Sequence, residues 1–129
     1  MKFLSLTGGV ILSCLALATT TAAKSNDRFT KLQTKSLSSA PLKLNDAAYS
    51  ELTDVPRDFT SIVLLTALPA QYGCVLCKEF QPEWDILAKS WVKGDSKGAS
   101  RVLFGTLDFP DGKGTFQKVR CENGAPSNS

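Results

Sequence analysis

The chain has 129 residues, a formal net charge of +3 and no histidine. That length allows one domain, and the missing imidazoles exclude Ser/His and Cys/His catalysis and His-based zinc sites. The 15 Lys and Arg residues are scattered, so there is no basic stripe of the kind that binds nucleic acid.

Met1 to Ala23 reads as a secretory signal peptide. Lys2 supplies the positive start, Phe3 to Ala18 is mostly apolar, and Thr21-Ala22-Ala23 offers small residues for cleavage. The apolar run is short for a membrane span, and no later segment reaches the ~20 apolar residues a span needs. Cleavage would remove Cys14 and leave Cys74, Cys77 and Cys121 in a compartment that permits disulfides. No usable Asn-x-Ser/Thr acceptor is present.

Lys24 to Ala40 is rich in Ser, Thr and Lys. Phe29 and Leu32, and less clearly Leu37, would share one side of a short helix; the alternative is a loosely ordered lead-in. Pro41 to Leu44 reads as an edge strand that starts on a proline. Asn45 offers an N-cap and Asp46 an acidic first turn to a short helix over Ala47 to Leu52, with Ala48, Tyr49 and Leu52 directed inward. Val55 to Asp58 is a turn.

Phe59 to Leu68, with its run Ile62-Val63-Leu64-Leu65, reads as a central strand covered on both faces. Pro69 to Gly73 breaks it. From Cys74 to Gly94 the apolar residues Leu76, Phe80, Trp84, Leu87 and Trp91 recur at helical spacing, which predicts one buried stripe. Pro82 inside that helix removes a backbone donor and predicts a kink. Gly94 to Ser100 is a polar loop, and Arg101 to Phe109 a second buried strand. Asp111-Gly112 turns the chain, and Phe116 with Val119 begins another helix. The resulting β-α-β-α-β-α order predicts an α/β layer with parallel strand pairs. Arg120 to Ser129 is polar and reads as a disordered or non-native tail.

The chemistry rests on Cys74-Val75-Leu76-Cys77. A cysteine at the start of a helix meets unpaired N–H groups and the positive end of the dipole. Both favour the thiolate, so Cys74 is the expected nucleophile and Cys77, about one turn on, the resolving thiol. Lys78 would add a little positive potential. Half of a four-cysteine zinc site would need a second close pair, which Cys121 does not supply. A static short-loop disulfide is the stronger structural alternative. Cys121 carries no assigned role, and no cofactor or metal is expected. Glu79, Glu83 and Asp85 are read as surface charges, and no carboxylate in the Phe59 to Leu68 strand offers itself as a proton acceptor.

Three runs carry a resemblance: Pro56-Arg57-Asp58-Phe59 leading into Val63-Leu64-Leu65-Thr66-Ala67-Leu68, Gly73 to Glu83 around the dithiol, and Phe104-Gly105-Thr106-Leu107-Asp108-Phe109. From the start of the mature chain to Val119, this closely resembles the lumenal domain of the oxidoreductase-type gamma subunit of the eukaryotic oligosaccharyltransferase complex, whose animal relatives are also called magnesium-transporter-like. The resemblance implies a thioredoxin fold over 24–119 in the endoplasmic reticulum lumen. It implies transient mixed disulfides between Cys74 or Cys77 and nascent glycoprotein chains, with other oligosaccharyltransferase subunits as partners and glycosyl transfer performed by another subunit.

Family members continue with a proline-containing strand, two final strands, a helix and four transmembrane helices. Only a faint echo, Ala125-Pro126, remains here. The expectation is therefore an incomplete, C-terminally truncated thioredoxin-like domain whose only membrane link would be family helices absent from the chain. Two other readings stay open: a free lumenal thioredoxin-like oxidoreductase, and an inert fragment with a static disulfide.

Overall fold

The computed structural model describes residues 20–122, with side chains from 27 to 120. Most of the expected signal peptide, including Cys14, and the segment 123–129 lie outside the described residues. The described elements are α1 (Thr20–Ser38), β1 (Leu42–Leu44), α2 (Asp46–Thr53), β2 (Thr60–Thr66), α3 (Val75–Gly94), β3 (Val102–Asp108) and α4 (Lys113–Glu122). The β-α-β-α-β-α order holds, with α1 added in front. Among the described residues the strands form one parallel sheet in the order β1-β3-β2. This is a mixed α/β fold consistent with an incomplete thioredoxin-like architecture.

The segment from Lys24 is a helix, not a loose lead-in. Phe29 and Leu32 are buried, whereas Leu37 faces solvent. α4 extends through Glu122, three residues into the segment read as a tail.

β3, rather than the Phe59 to Leu68 strand, is the central strand. Gly105 pairs with Leu42 of β1 on one side and Val63 of β2 on the other. β2 lies at an edge, and Ile62 is 41% exposed. Its apolar run reflects helices on both faces of the sheet, and cover on both faces does not set a strand's place in the order. Gly105 itself is required by packing: a Cβ there would lie 2.6 Å from Leu44 Cδ1 and 3.0 Å from Leu52 Cδ2.

Alternate residues of β3 feed two cores, as the period of two demands. On one face Leu103 and Leu107 pack with Leu42, Leu44, Phe29, Leu32, Leu52 and Phe59. On the other, Phe104 packs with Trp84 and Ala88 of α3.

Asn45 caps α2 as expected, its side chain accepting from Ala48 N at 2.8 Å. Asp46 does more than serve its own helix. Its carboxylate accepts from Thr115 Oγ1 at 2.7 Å, Thr115 N at 2.8 Å and Gly114 N at 3.2 Å. It thereby caps α4 across the fold, and the bonds from Thr115, side chain first, hold its pKa below the ordinary aspartate value.

Leu52→Ala empties a fully buried position and should cost about 2–5 kcal/mol in urea unfolding. Asp46 has a depressed folded pKa, so its contribution is complete above the unfolded value near 3.8 and is lost as pH falls through the folded value. Asp46→Asn should therefore be less stable than wild type at neutral pH and should lose less stability on acidification. Denaturant melts across that range measure both.

Candidate functional site

The site is built where β2 hands over to α3. Asp108, the last residue of β3, is the register partner of Thr66 at the end of β2. Its Oδ1 accepts from Leu68 N at 3.0 Å and from Phe109 N at 3.0 Å. One carboxylate thus ties down the chain leaving both strands. A 3-10 turn over Ala70–Tyr72 follows, with the Tyr72 ring edge-on to Phe109 at 5.1 Å. Gly73 then takes φ +62°, a left-handed conformation that glycine adopts without a Cβ penalty.

That turn delivers Cys74 to the N-cap of α3. Its Sγ accepts from Cys77 N at 3.2 Å, so the sulfur occupies the place of a capping oxygen at the positive end of the helix. Cys74 and Cys77 are joined as a disulfide with a Cα–Cα separation of 5.3 Å, within the usual range. Both cysteines are half-buried. The two residues between them stand clear, Val75 65% and Leu76 76% exposed. The structure therefore places the two sequence-predicted site residues together at a helix start. Cys121 falls in the last turn of α4, and its side chain is outside the described ones.

α3 differs from the expected single buried stripe. Of Leu76, Phe80, Trp84, Leu87 and Trp91, only Trp84 is buried; Phe80 is 50% and Leu87 49% exposed. The inward line is Trp84 and Ala88, one flank over. Trp84 Nε1 donates to Thr106 Oγ1 at 2.8 Å, and its ring meets Phe104 at 5.5 Å. Trp91 also keeps a ring contact with Phe104 at 5.9 Å. These contacts fix the helix on β3 behind the dithiol. Helical order runs through Pro82.

Gln81, Asp85 and Lys89 follow Cys77 at intervals of four and turn toward β1. With Lys43, Thr106 and Asp108 they line a groove of about 430 Å³. Gln81 Nε2 donates to Asp85 Oδ1 at 2.9 Å, so Asp85 is more than a solvated charge. Asp108 is the residue that reading from sequence missed: the carboxylate beside this region comes from the end of β3, 34 positions after Cys74. Its signal was its place at the end of a buried strand, where a lone acid needs partners. Among the described residues, no three His, Cys, Asp or Glu side chains gather as a metal would require. No described helix is long and apolar enough to cross a membrane.

The profile of the OST3 / OST6 family, described as a transporter family, matches residues 27–126. The chain belongs to the OST3 / OST6 family. A stretch of 72 residues is 39% identical to dolichyl-diphosphooligosaccharide–protein glycosyltransferase subunit MAGT1 of Xenopus laevis, covering 56% of this chain and 21% of that protein. The same-named subunit of Homo sapiens is 34% identical over 87 residues, 67% of this chain and 25% of its own length. Subunit 3 of the corresponding glycosyltransferase in Saccharomyces cerevisiae is 29% identical over 103 residues, 75% of this chain and 29% of its own length. The chain thus spans about a quarter of the length of these OST3 / OST6 relatives.

Cys74 and Cys77 close a loop of only four residues, for which chain entropy gives about 2 kcal/mol of stabilisation. Reduction by dithiothreitol should lower stability by no more than about that amount. Hydrogen exchange should quicken in the first turn of α3, where the Cys77 amide is capped, and stay slow around Trp84 and Ala88.

Proposed function

We propose that this chain supplies the thiol–disulfide exchange module of an accessory oligosaccharyltransferase subunit, facing the endoplasmic reticulum lumen. One observation carries the reading: a disulfide at the N-cap of a helix that is itself fixed to the central strand, with both cysteines half-buried and the intervening Val75 and Leu76 exposed. Family membership and the printed subunit names of the relatives support the assembly. The signal-peptide character of Met1 to Ala23 supports the lumenal side.

The exchange runs without a cofactor. A cysteine thiolate of a nascent glycoprotein chain attacks Cys74 Sγ. The Cys74–Cys77 bond breaks, and Cys77 leaves as a thiolate. The new bond joins substrate to Cys74, and the capping N–H groups at the start of α3 are placed to receive the Cys74 sulfur whenever it carries charge. Return of Cys77 to Cys74 Sγ expels the substrate thiolate and restores the disulfide. Alternatively, a second substrate thiolate attacks the substrate sulfur; the substrate is then oxidised and the Cys74/Cys77 pair reduced by the same two electrons. While the mixed disulfide lasts, the acceptor chain is tethered, and glycosyl transfer to its Asn-x-Ser/Thr sites is the work of another subunit.

Removal of the resolving thiol tests this. Cys77→Ser, expressed in the full-length subunit in microsomes, should accumulate mixed disulfides with secretory glycoproteins through Cys74. These should dissolve on reduction and vanish when Cys74→Ser is added. A folded Cys77→Ser subunit that forms no adducts overturns the proposal.

A further inference from the structure

We infer that Gln81 is a positioning residue that stabilises the reduced form of the dithiol by accepting a hydrogen bond from the Cys77 thiol. The inference rests on the thiol-exchange reading of Cys74 and Cys77. Gln81 stands one helical turn after Cys77, and side chains four apart on a helix are neighbours on one face. A helical side chain also leans over the turn that precedes it. The orientation of the Gln81 amide is set by Asp85. A carboxylate only accepts, so the amide nitrogen must face it, and Nε2 donates to Asp85 Oδ1 at 2.9 Å. The oxygen is thereby turned away from Asp85.

That oxygen, Oε1, is buried and has no hydrogen-bond partner, although Lys43 and Lys89 line the same groove. A buried acceptor without a donor destabilises the state in which it occurs. Here that state is the disulfide, in which Cys77 has no proton to give. Reduction by two glutathione thiols transfers two electrons and two protons to the pair and releases glutathione disulfide. The Cys77 S–H so formed is a donor one turn from the waiting oxygen. Gln81 is thus satisfied only in the dithiol state, which shifts the equilibrium toward reduction.

The test is a glutathione redox titration of the folded chain carrying Cys14→Ser and Cys121→Ser, with and without Gln81→Met. Methionine keeps the length of the side chain and removes the carbonyl. The constant for disulfide formation should rise roughly three- to tenfold in the variant, the scale of one neutral hydrogen bond; a tenfold rise lowers the potential by about 30 mV. Side-chain NMR of the unaltered residue guards against a folding defect. The Gln81 carboxamide carbon should shift on reduction, whereas that of Gln33, which donates to Ser96 O, should not. An unchanged constant, or a Gln81 signal indifferent to reduction, overturns the inference while wild-type cycling leaves the exchange reading intact. A wild-type pair that does not exchange with glutathione overturns both.

Discussion

The contact on which the rest of the structure depends is the close approach of β1 and α2 to β3 at Gly105. β3 is flanked by parallel partners on both sides, and each of its faces feeds a separate core. Leu44 and Leu52 can reach it only because position 105 has no side chain. Backbone there is satisfied by the ladder to Leu42 and Val63, while the vacant side-chain volume is filled by two leucines. Any larger residue would have to separate β1 and α2 from the strand that both cores share.

From that strand the site is reached in two steps. Asp108 carries the order of β3 into the loop after β2 by accepting from Leu68 N, and Trp84 carries it into α3 by donating to Thr106 Oγ1. Both anchors lie toward the C-terminal end of β3, so the loop that leads into α3 and the middle of α3 are each held to the same strand. Crevices at the carboxyl ends of parallel strands are where α/β folds place ligands and chemistry. The dithiol sits in that position because the loop and the helix are each tied to the same strand. The cap by Asp46 performs an equivalent service for α4, linking the start of α2 to a helix 68 positions later.

Local signals were legible in the sequence and relational ones were not. Asn45 as a cap, Gly73 as a break, Cys74 as a helix start and Gly94 as a helix end are decided by residues within one turn of the feature, and all stand in the structure. The order of the strands is decided by pairing, to which a continuous apolar run such as Ile62 to Leu65 is indifferent; it marks cover on two faces and is silent on which strand lies between the others. The inward flank of α3 is relational in the same way. Leu76, Phe80, Leu87 and Trp91 satisfy a helical period as well as Trp84 and Ala88 do, and only the position of Phe104 beneath the helix decides which line turns inward. The bonds from Gly114 and Thr115 to Asp46, and from Leu68 to Asp108, join residues 40 to 69 positions apart, so those long-range partners were not open to local inspection.

The two flanks of α3 give the site its asymmetry. On the side facing β1, Gln81, Asp85 and Lys89 form a polar line running away from Cys77, along a groove that also holds Lys43 and Asp108. On the other flank Leu76, Phe80, Leu87 and Trp91 leave apolar surface at solvent, and the outer edge of β2 has no pairing strand among the described residues. Thr60 to Thr66 carries neither charge nor proline, the usual means by which an edge strand resists pairing. The half-buried disulfide therefore lies where a polar wall and an apolar wall meet.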